Sequence, residues 1–344
     1  MLNAQCALRT VRCFSVLGSH KTKIPDPAGL AKSVLALDRR VLARALTLVE
    51  NEVPGYEAFL DELYPAVGAA WRIGLTGPPG AGKSTLASRL IEHFVARDLS
   101  IGYVGVDPSS PFSGGAVLGD RIRLDLDEHD NVFVRSVASR GARGGLSEQT
   151  EALADVLDAA GFDILLIESV GVGQAEIEIA NSVDTVVVVL VPESGDEIQA
   201  MKAGLLEIGD VLCVNKADRP SADTLYAALK QAVGMRQSPV DRFTEIVRSV
   251  ATEEGGTIDL LSALDRHRER IGASNRWDQL RADRLKRRVV NIVRERWNKR
   301  FWGGERTEVL AQATESADAS LRRPYALAER IITAAESTAF DPPA

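Results

Sequence analysis

The sequence predicts an α/β fold, in which a mainly parallel sheet is flanked by helices, with helical extensions at both ends. From Trp71 onward, short β-branched runs alternate with amphipathic segments of helical length, which is typical of parallel α/β proteins. The runs at 164–167 and 186–191 show no polar alternation, so both faces of these strands are expected to be buried. Before and after this region, apolar residues recur at helical spacing.

Four segments are predicted: a leader at 1–27, an N-terminal helical extension at 28–70, an α/β domain at 71–272 and a C-terminal helical extension at 273–344. Apolar spacing over 31–50 predicts one helix, which ends before Pro54 and Gly55. The α/β domain is predicted to contain strands at 72–76, 101–106, 132–136, 163–168, 185–191, 211–215 and 245–250, and helices at 83–97, 147–160, 197–207, 222–233 and 258–271.

The composition of the 344-residue chain is that of an ordinary globular protein. A hydrophobic fraction of 45% beside 26% charged residues allows a sizeable core to be buried. The net charge of −7 lacks the basic excess of nucleic-acid-binding proteins. The longest apolar run, 186–191, falls far short of the ~20 residues that span a bilayer. We therefore expect neither a nucleic acid nor a membrane as a partner.

The N-terminal 25 residues contain Arg9, Arg12, Lys21 and Lys23 but no acidic residue. This composition resembles a mitochondrial presequence, although we favour a disordered bacterial leader or an over-extended start. The three cysteines show neither metal-ligand spacing nor a disulfide framework, which fits a reducing compartment. We expect a cytoplasmic location, with the mitochondrial matrix as the alternative.

The C-terminal extension begins with a long helical pattern. Basic residues fill many positions between apolar residues that recur mostly every four positions. The apolar residues are Trp277, Leu280, Leu285, Val289, Val293, Trp297 and Phe301. Two interpretations remain open: a helix packed on its own domain, or a dimerisation arm that presents its aromatic residues to a partner.

A glycine-rich segment follows the first predicted strand and opens a predicted helix, and it satisfies the pattern G-x-x-x-x-G-K-[ST]. Its glycines allow the backbone to wrap a phosphate with the N–H groups pointing inward. Lys83 is expected to reach the β- and γ-phosphates, and the Ser84 hydroxyl to ligate Mg²⁺. The predicted phosphate contacts come from Gly77, Pro78, Pro79, Gly80, Ala81, Gly82, Lys83, Ser84 and Thr85.

The strand at 211–215 ends in Asn215-Lys216-Ala217-Asp218. The Asp218 carboxylate can accept hydrogen bonds from N1–H and N2–H₂ of guanine, which adenine does not offer. The Lys216 stem would cover the base, and Asn215 would tie the loop together. Together with the phosphate loop, this tetrad predicts GTP, rather than ATP, as the nucleotide.

A further strand ends at Ser249-Val250-Ala251, where the backbone of many GTPases touches guanine O6. An ordinary loop remains the alternative here, because valine stands in the usual alanine position.

Two acidic side chains, Asp107 and Glu168, end predicted strands. Ligands bind at this edge of open α/β sheets, so both residues are candidates for holding or orienting Mg²⁺ and its waters. Either could instead cap the following segment.

The stretch 168–174 lies where most GTPases have the pattern D-x-x-G. We therefore expect the Gly171 N–H to sense the γ-phosphate. In Ras-like enzymes a glutamine that orients the attacking water follows this glycine, but here the next residue is Val172. We therefore expect slow intrinsic hydrolysis, in which a partner, a second subunit or a residue such as Asp120 has to position the water.

Three segments resemble the MeaB/ArgK/MMAA family of GTPases, which are chaperones of adenosylcobalamin-dependent acyl-CoA mutases such as methylmalonyl-CoA mutase. These segments are 107–121, 168–174 and 192–204, and the resemblance covers roughly 35–271. It implies a protein that gates cofactor loading and protects or reactivates the mutase. Ser169, Val250 and Glu253 depart from the family's pattern, the last two in the final guanine loop.

The resemblance also implies specific roles. Ser84, Asp107, Asp120 and Glu168 would surround Mg²⁺, with Lys83, Asp107, Asp120 and Glu168 serving GTP hydrolysis. The segments 107–121 and 168–174 would be switches. A third switch would contain Gln199 and Lys202 and report the state of the mutase. A homodimer would form through the terminal helices.

The sequence argues against two other functions. One is an ATPase or kinase associated with lysine, arginine and ornithine transport, against which the guanine tetrad argues. The other is a nickel-insertion GTPase, which often carries His-rich or Cys-His tracts, whereas the four histidines here are scattered.

Overall fold

The computed structural model describes residues 23–107, 129–138, 148–169, 175–192, 204–235, 243–302, 305–315 and 323–336. The chain forms two compact units, Met1–Ile271 and Gly272–Ala344.

The first unit is built on a seven-stranded sheet in which every pairing is parallel, in the order β3-β2-β4-β1-β5-β6-β7. The parallel sheet and its flanking helices confirm the predicted fold class. The strands are β1 Trp71–Thr76, β2 Ile101–Asp107, β3 Val132–Ala138, β4 Ile164–Glu168, β5 Thr185–Leu190, β6 Val211–Asn215 and β7 Glu245–Ser249.

The central strands β1, β2, β4, β5 and β6 are buried along their whole length, as the absence of polar alternation predicted. In a parallel sheet the carboxyl ends of all strands meet at one edge, here called the carboxyl edge. The register pairs Glu168 with both Leu75 of β1 and Gly105 of β2. This pairing brings the acidic end of β4 between the ends of its two neighbours.

Helices precede, connect and follow the strands. In the first unit they are α1 Pro27–Leu35, α2 Arg39–Glu50, α3 Tyr56–Leu63, α4 Lys83–Val95, α5 Glu148–Ala159, α6 Ala175–Ser182, α7 Leu205–Ile208, α8 Ala222–Gly234 and α9 Ile258–Ala273, with a 3₁₀ turn at Tyr64–Ala66. Four of the five helices predicted in the α/β domain correspond to α4, α5, α8 and α9. The fifth, predicted at 197–207, lies largely outside the described residues, and α7 covers only its end.

The prediction of one helix over 31–50 is wrong, because the structure has two helices there. Helix α1 ends at Leu35, and Leu37 adopts a left-handed φ of +55°. The Asp38 carboxylate then accepts hydrogen bonds from the backbone N–H groups of Arg40 and Val41 and starts α2. The N-cap hydrogen bonds of Asp38 stabilise the start of a new helix, so the chain breaks there although the apolar spacing continues.

Helices α1 to α3 pack on the core of the first unit. Leu42 and Leu46 of α2 and Phe59 of α3 are fully buried and share a core with α5. Arg39 donates hydrogen bonds to the backbone carbonyls of Asp130 and Val132, and so covers part of the outer edge of β3.

A buried ion cluster joins β1 to α5. One guanidinium nitrogen of Arg72 lies 2.8 Å from a carboxylate oxygen of Asp155 and 2.8 Å from one of Asp158. Asp158 also accepts from the backbone N–H groups of Ala69 and Ala70. Pairing of this kind is what allows charges to be buried at all.

The second unit is helical. It consists of α10 Arg276–Phe301, α11 Glu305–Glu315 and α12 Pro324–Glu336. Helix α10 confirms the helical pattern predicted from 277 to 301. Side chains on α10 remain 42–58% exposed at Leu285, Val289, Val293 and Trp297. Ala313, Leu327 and Ile331 form a small core between α11 and α12. In the described part of both units, no helix is long and apolar enough to cross a membrane.

Candidate nucleotide site

The glycine-rich loop lies between β1 and α4 and needs glycine at two positions. Gly77 has φ +137°, and a Cβ there would lie 2.1 Å from the Val189 carbonyl oxygen of the neighbouring strand β5. Gly82, at φ +89°, would place a Cβ 2.5 Å from Nδ2 of Asn215. The loop therefore approaches its neighbours more closely than any side chain permits.

Lys83 begins α4, and its side chain is buried. The Nζ ammonium donates to the carbonyl oxygens of Gly77 (2.9 Å) and Pro78 (3.1 Å). The loop therefore folds around its own lysine. Pro79 and Gly80, at the tip of the loop, are exposed, as is Thr85.

Four side chains meet at the carboxyl edge beside the loop. The Ser84 hydroxyl donates to Oε1 of Glu168 at 2.7 Å, and the Tyr103 hydroxyl donates to Oε2 of Glu168 at 2.7 Å. Asp107, at the end of β2, is 3% exposed. Among the described residues, its Oδ2 has no hydrogen-bond partner.

The local electrostatics favour a bound cation. Desolvation by burial raises the pKa of Asp107 to about 6, and the Glu168 charge adds to the shift. Burial, followed by the charge of Glu168, raises the pKa of Tyr103 well above its ordinary value, so its hydroxyl is a donor at neutral pH. The negative charge of Glu168 thus disfavours ionisation of the buried Asp107, and a positive charge between them would remove that penalty.

The described residues supply only part of the predicted metal site. Within these ranges, no group of three or more His, Cys, Asp or Glu residues is placed to hold a metal ion. Ser84, Asp107 and Glu168 are brought together, whereas Asp120 lies outside the described residues. Gly171, Gln199 and Lys202 also lie outside them.

Asn215 connects three loops at the same edge. Its Nδ2 donates to the carbonyl oxygen of Ala81 in the phosphate loop at 2.8 Å. Its Oδ1 accepts from the Ser249 hydroxyl (3.1 Å) and from the Ala251 N–H (3.3 Å). The three segments predicted to bind nucleotide are therefore joined through one buried amide.

The remaining residues of the tetrad follow β6 directly. Lys216 has a left-handed φ of +55°, and the N–H of Ala217 donates to the Ser249 carbonyl at 3.0 Å. Asp218 is exposed beyond this turn. The N–H of Val250 donates to the Gly256 carbonyl at 2.9 Å, so valine is accommodated in a turn that depends on backbone hydrogen bonds.

Two functional-site residues were missed or underrated from the sequence. The sequence pattern assigns Tyr103 only to a strand, although residues 103, 105 and 107 lie on one face of β2 because side chains alternate along a strand. Ser169 departs from the family pattern. Its Oγ lies 2.9 Å from Oγ1 of Thr76, so it links the end of β4 to the start of the phosphate loop.

We expect Asp107→Asn to stabilise the protein in the absence of nucleotide and metal. The substitution keeps the shape of the side chain but removes a buried negative charge beside Glu168. Because the raised pKa reports that the ionised form is disfavoured in the folded state, the gain is on the order of 1–3 kcal/mol at neutral pH. Thermal unfolding in EDTA measures it.

The same variant should weaken Mg²⁺-dependent binding of a GTP analogue, because a metal-ligating oxygen is lost. Asp61→Asn, on the exposed side of α3, is the matched control and should change neither property. A lower melting temperature of Asp107→Asn in EDTA would contradict this account of the carboxylate pair.

The fold and the joined loops define a class of protein. A parallel sheet carries a phosphate loop between β1 and α4, and an Asn-Lys-x-Asp turn after β6 is tied to that loop through Asn215. This combination is that of a P-loop GTPase.

The comparisons with known proteins identify the family. The sequence model described as "Methylmalonyl Co-A mutase-associated GTPase MeaB" matches residues 42–306. The chain belongs to this family, which confirms the resemblance to MeaB/ArgK/MMAA proteins, and it is a GTP-hydrolysing enzyme.

Relatives and a solved structure agree. The chain is 43% identical over 263 residues to a putative GTPase of Pyrococcus abyssi, covering 74% of this chain and 80% of the relative. It is 35% identical over 268 residues to the GTPase ArgK of Escherichia coli K12, covering 74% and 81%. A crystal structure titled "LAO/AO transport system kinase" matches with a TM-score of 0.71 at 24% identity, covering 90% of this chain and 97% of that one. This last likeness shows the fold alone.

Proposed function

We propose that this GTPase binds GTP with Mg²⁺ at the carboxyl edge and uses the state of the nucleotide to serve an adenosylcobalamin-dependent acyl-CoA mutase. In this function it gates loading of the cofactor and protects or reactivates the mutase. The observation that carries the proposal is the family match over residues 42–306, whose description names methylmalonyl-CoA mutase.

The phosphate loop supports the nucleotide part of the proposal. Lys83 already points its ammonium at the loop, where it bonds two backbone carbonyls. On binding a triphosphate it exchanges these neutral acceptors for phosphate oxygens, which form stronger, charge-assisted hydrogen bonds. The N–H groups at the start of α4 add the positive end of the helix dipole.

The base is proposed to lie beside the turn after β6. Asp218 accepts from the guanine edge, and Lys216 covers the face of the base. Asn215 makes no contact with the base in this scheme. Its role is to hold the phosphate loop and the Ser249–Ala251 turn at a fixed distance, so that phosphates and base are bound together.

The residues present fit a magnesium ion. Mg²⁺ prefers oxygen ligands and keeps several waters, and the edge offers the Ser84 hydroxyl and the Oδ2 of Asp107. When bound, the ion would neutralise charge on the β- and γ-phosphates. Glu168 orients Ser84, and Asp120 is proposed to complete the set.

The switch segments are proposed to start from this edge. The segment 107–121 begins at Asp107, and the segment 168–174 begins at Glu168, so a change in nucleotide alters the anchored end of each. Gly171 would sense the γ-phosphate, and Gln199 and Lys202 would form the third switch. The side chain of Val172, next to Gly171, is apolar and cannot position the attacking water. Hydrolysis is therefore expected to be slow until the mutase or a second subunit acts.

The helical second unit is proposed to form a homodimer. Its helix α10 carries several half-exposed apolar side chains, which is typical of a surface that another protein covers. We propose a cytoplasmic location for the pair, or the mitochondrial matrix if residues 1–27 are a targeting segment.

The mutase assignment is tested by mixing the purified protein with mutases that act on methylmalonyl-, isobutyryl- and ethylmalonyl-CoA. We expect one of them to bind with an affinity that differs between GDP and a slowly hydrolysed GTP analogue, and to raise the hydrolysis rate about 10-fold or more. Absence of binding to all three in every nucleotide state would overturn the mutase role while leaving the GTPase intact.

A further inference from the structure

Tyr103 donates a hydrogen bond to the same Glu168 carboxylate that accepts a hydrogen bond from the Ser84 hydroxyl. We propose that Tyr103 is a positioning residue for the metal-binding hydroxyl of Ser84, acting through Glu168. This inference rests on the proposed magnesium site. It concerns a residue that lies outside the phosphate loop, the guanine turn and the acidic ends of the strands.

The donor directions explain why this arrangement matters. A protonated phenol has one O–H to donate, and Tyr103 donates it in a hydrogen bond to Oε2 of Glu168 at 2.7 Å. The Ser84 hydroxyl likewise has one proton and uses it in a hydrogen bond to Oε1 at 2.7 Å. Once that proton is committed, the oxygen of Ser84 has only lone pairs left to present elsewhere. A hydroxyl held in this way offers a cation an acceptor in a fixed direction.

The Tyr103 hydroxyl holds the orientation of the Glu168 carboxylate, which in turn holds the orientation of the Ser84 hydroxyl. Without the phenol, Oε2 of Glu168 would lose a strong donor, and rotation about the last side-chain bond of Glu168 would become easier because that torsion is broad. Both Tyr103 and Glu168 are buried, at 1% and 8% exposure. Charge-assisted hydrogen bonds in such surroundings are short and strong.

The strand makes room for the phenol at Gly105. A Cβ added at Gly105 would lie 3.0 Å from the hydroxyl oxygen of Tyr103 and 3.1 Å from its ring carbon Cε1. The tyrosine ring thus lies over the position two residues further along the strand and reaches Glu168 on β4. A Cβ at position 105 would therefore require the ring to shift by a few tenths of an ångström.

A role in metal positioning differs from a role in packing. The Tyr103→Phe substitution keeps the buried ring and removes only the hydroxyl. If the hydroxyl acts through Glu168 on Ser84, its loss weakens the response to Mg²⁺ and leaves metal-independent nucleotide binding unchanged. If the hydroxyl serves packing alone, nucleotide binding is altered equally with and without the metal.

The test is a Mg²⁺ titration of the dissociation rate of a fluorescent, slowly hydrolysed GTP analogue from the full-length protein. We expect Tyr103→Phe to require roughly 10-fold more Mg²⁺ than wild type for half-maximal slowing of release, since one hydrogen bond to a charged group is lost. In EDTA the two proteins should release the analogue at the same rate. Tyr64→Phe, in the 3₁₀ turn and 41% exposed, is the matched control and should behave as wild type.

Three results would overturn the inference, and they are distinguishable. An unchanged Mg²⁺ requirement in Tyr103→Phe, with a normal magnesium effect in wild type, would remove the role of Tyr103 alone. Equal acceleration of release in Mg²⁺ and in EDTA would make Tyr103 a packing residue. A wild-type protein that shows no magnesium effect would overturn the proposed metal site itself.

Discussion

Asp218→Asn is expected to lower the affinity for GTP by roughly 100-fold and to raise the affinity for xanthosine triphosphate. The carboxylate accepts two guanine N–H donors in the proposed complex, and hydrogen bonds to a charged group contribute about 1.5–3 kcal/mol each. Asparagine replaces one acceptor with a donor, which matches the carbonyl group of xanthine. Equilibrium competition against a fluorescent GDP analogue measures both effects.

A nearby aspartate provides the control. Asp223 is exposed on α8 and pairs with Arg248 at 2.8 Å, so Asp223→Asn removes the same charge from the same region. An exposed pair of this kind contributes little, and nucleotide preference should not change. If Asp218→Asn retained the wild-type preference for GTP, the assignment of the guanine turn would be wrong.

Lys83→Ala should abolish tight triphosphate binding, with a loss of about 100-fold or more for a GTP analogue in Mg²⁺. The variant removes a buried cation aimed at the loop, and charge-assisted contacts to phosphate are among the strongest in proteins. The loss should be larger for the triphosphate than for GDP, because the lysine is proposed to contact the γ-phosphate as well. Calorimetric titration with each nucleotide measures the difference.

Stability must be followed in the same experiment. Lys83 also bonds the carbonyls of Gly77 and Pro78, so a collapsed loop could mimic a lost phosphate contact. Unchanged thermal unfolding of the nucleotide-free variant separates the two causes. Lys32→Ala, at an exposed position on α1, serves as the control, and wild-type affinity in Lys83→Ala would contradict the phosphate-loop assignment.

The features that could be predicted from the sequence are those set by local patterns. Strands buried on both faces need continuous apolar runs, so all seven strands were predicted within two residues at either end. The phosphate loop and the guanine turn directly follow predicted strands. The positions of those strand ends were therefore enough to assign Lys83, Ser84 and Asn215 to one edge of the sheet. Because parallel strands end together, Asp107 and Glu168 could be assigned to that edge as well.

Other features depend on contacts between distant segments, which a single sequence does not encode in any spacing. The hydrogen bond from Tyr103 to Glu168 joins residues 65 positions apart. Ala81, Asn215 and Ser249 are likewise joined only after the sheet has formed. The break between α1 and α2 is different, since Asp38 supplied a local signal that the apolar spacing concealed.

The packing of α1 to α3 gives the N-terminal helices a connection to the site. Arg39 bonds carbonyls of the segment that opens β3, and Glu50 of α2 forms an ion pair with Arg135 in the middle of the same strand. Strand β3 in turn pairs with β2 along its whole length, up to Asp107 and Ala138. Helix α2 therefore supports, through β3, the strand that carries a proposed metal ligand.

We propose that the carboxyl edge selects guanine and binds the phosphates together with a metal ion. The most direct measurement is competition by GTP and by ATP against a fluorescent GDP analogue on the wild-type protein, in Mg²⁺ and in EDTA. We expect GTP to compete at a concentration roughly 100-fold lower than ATP, in line with two charge-assisted hydrogen bonds to the base, and Mg²⁺ to tighten GTP binding. Equal competition by ATP, or GTP binding that is indifferent to Mg²⁺, would contradict this proposal.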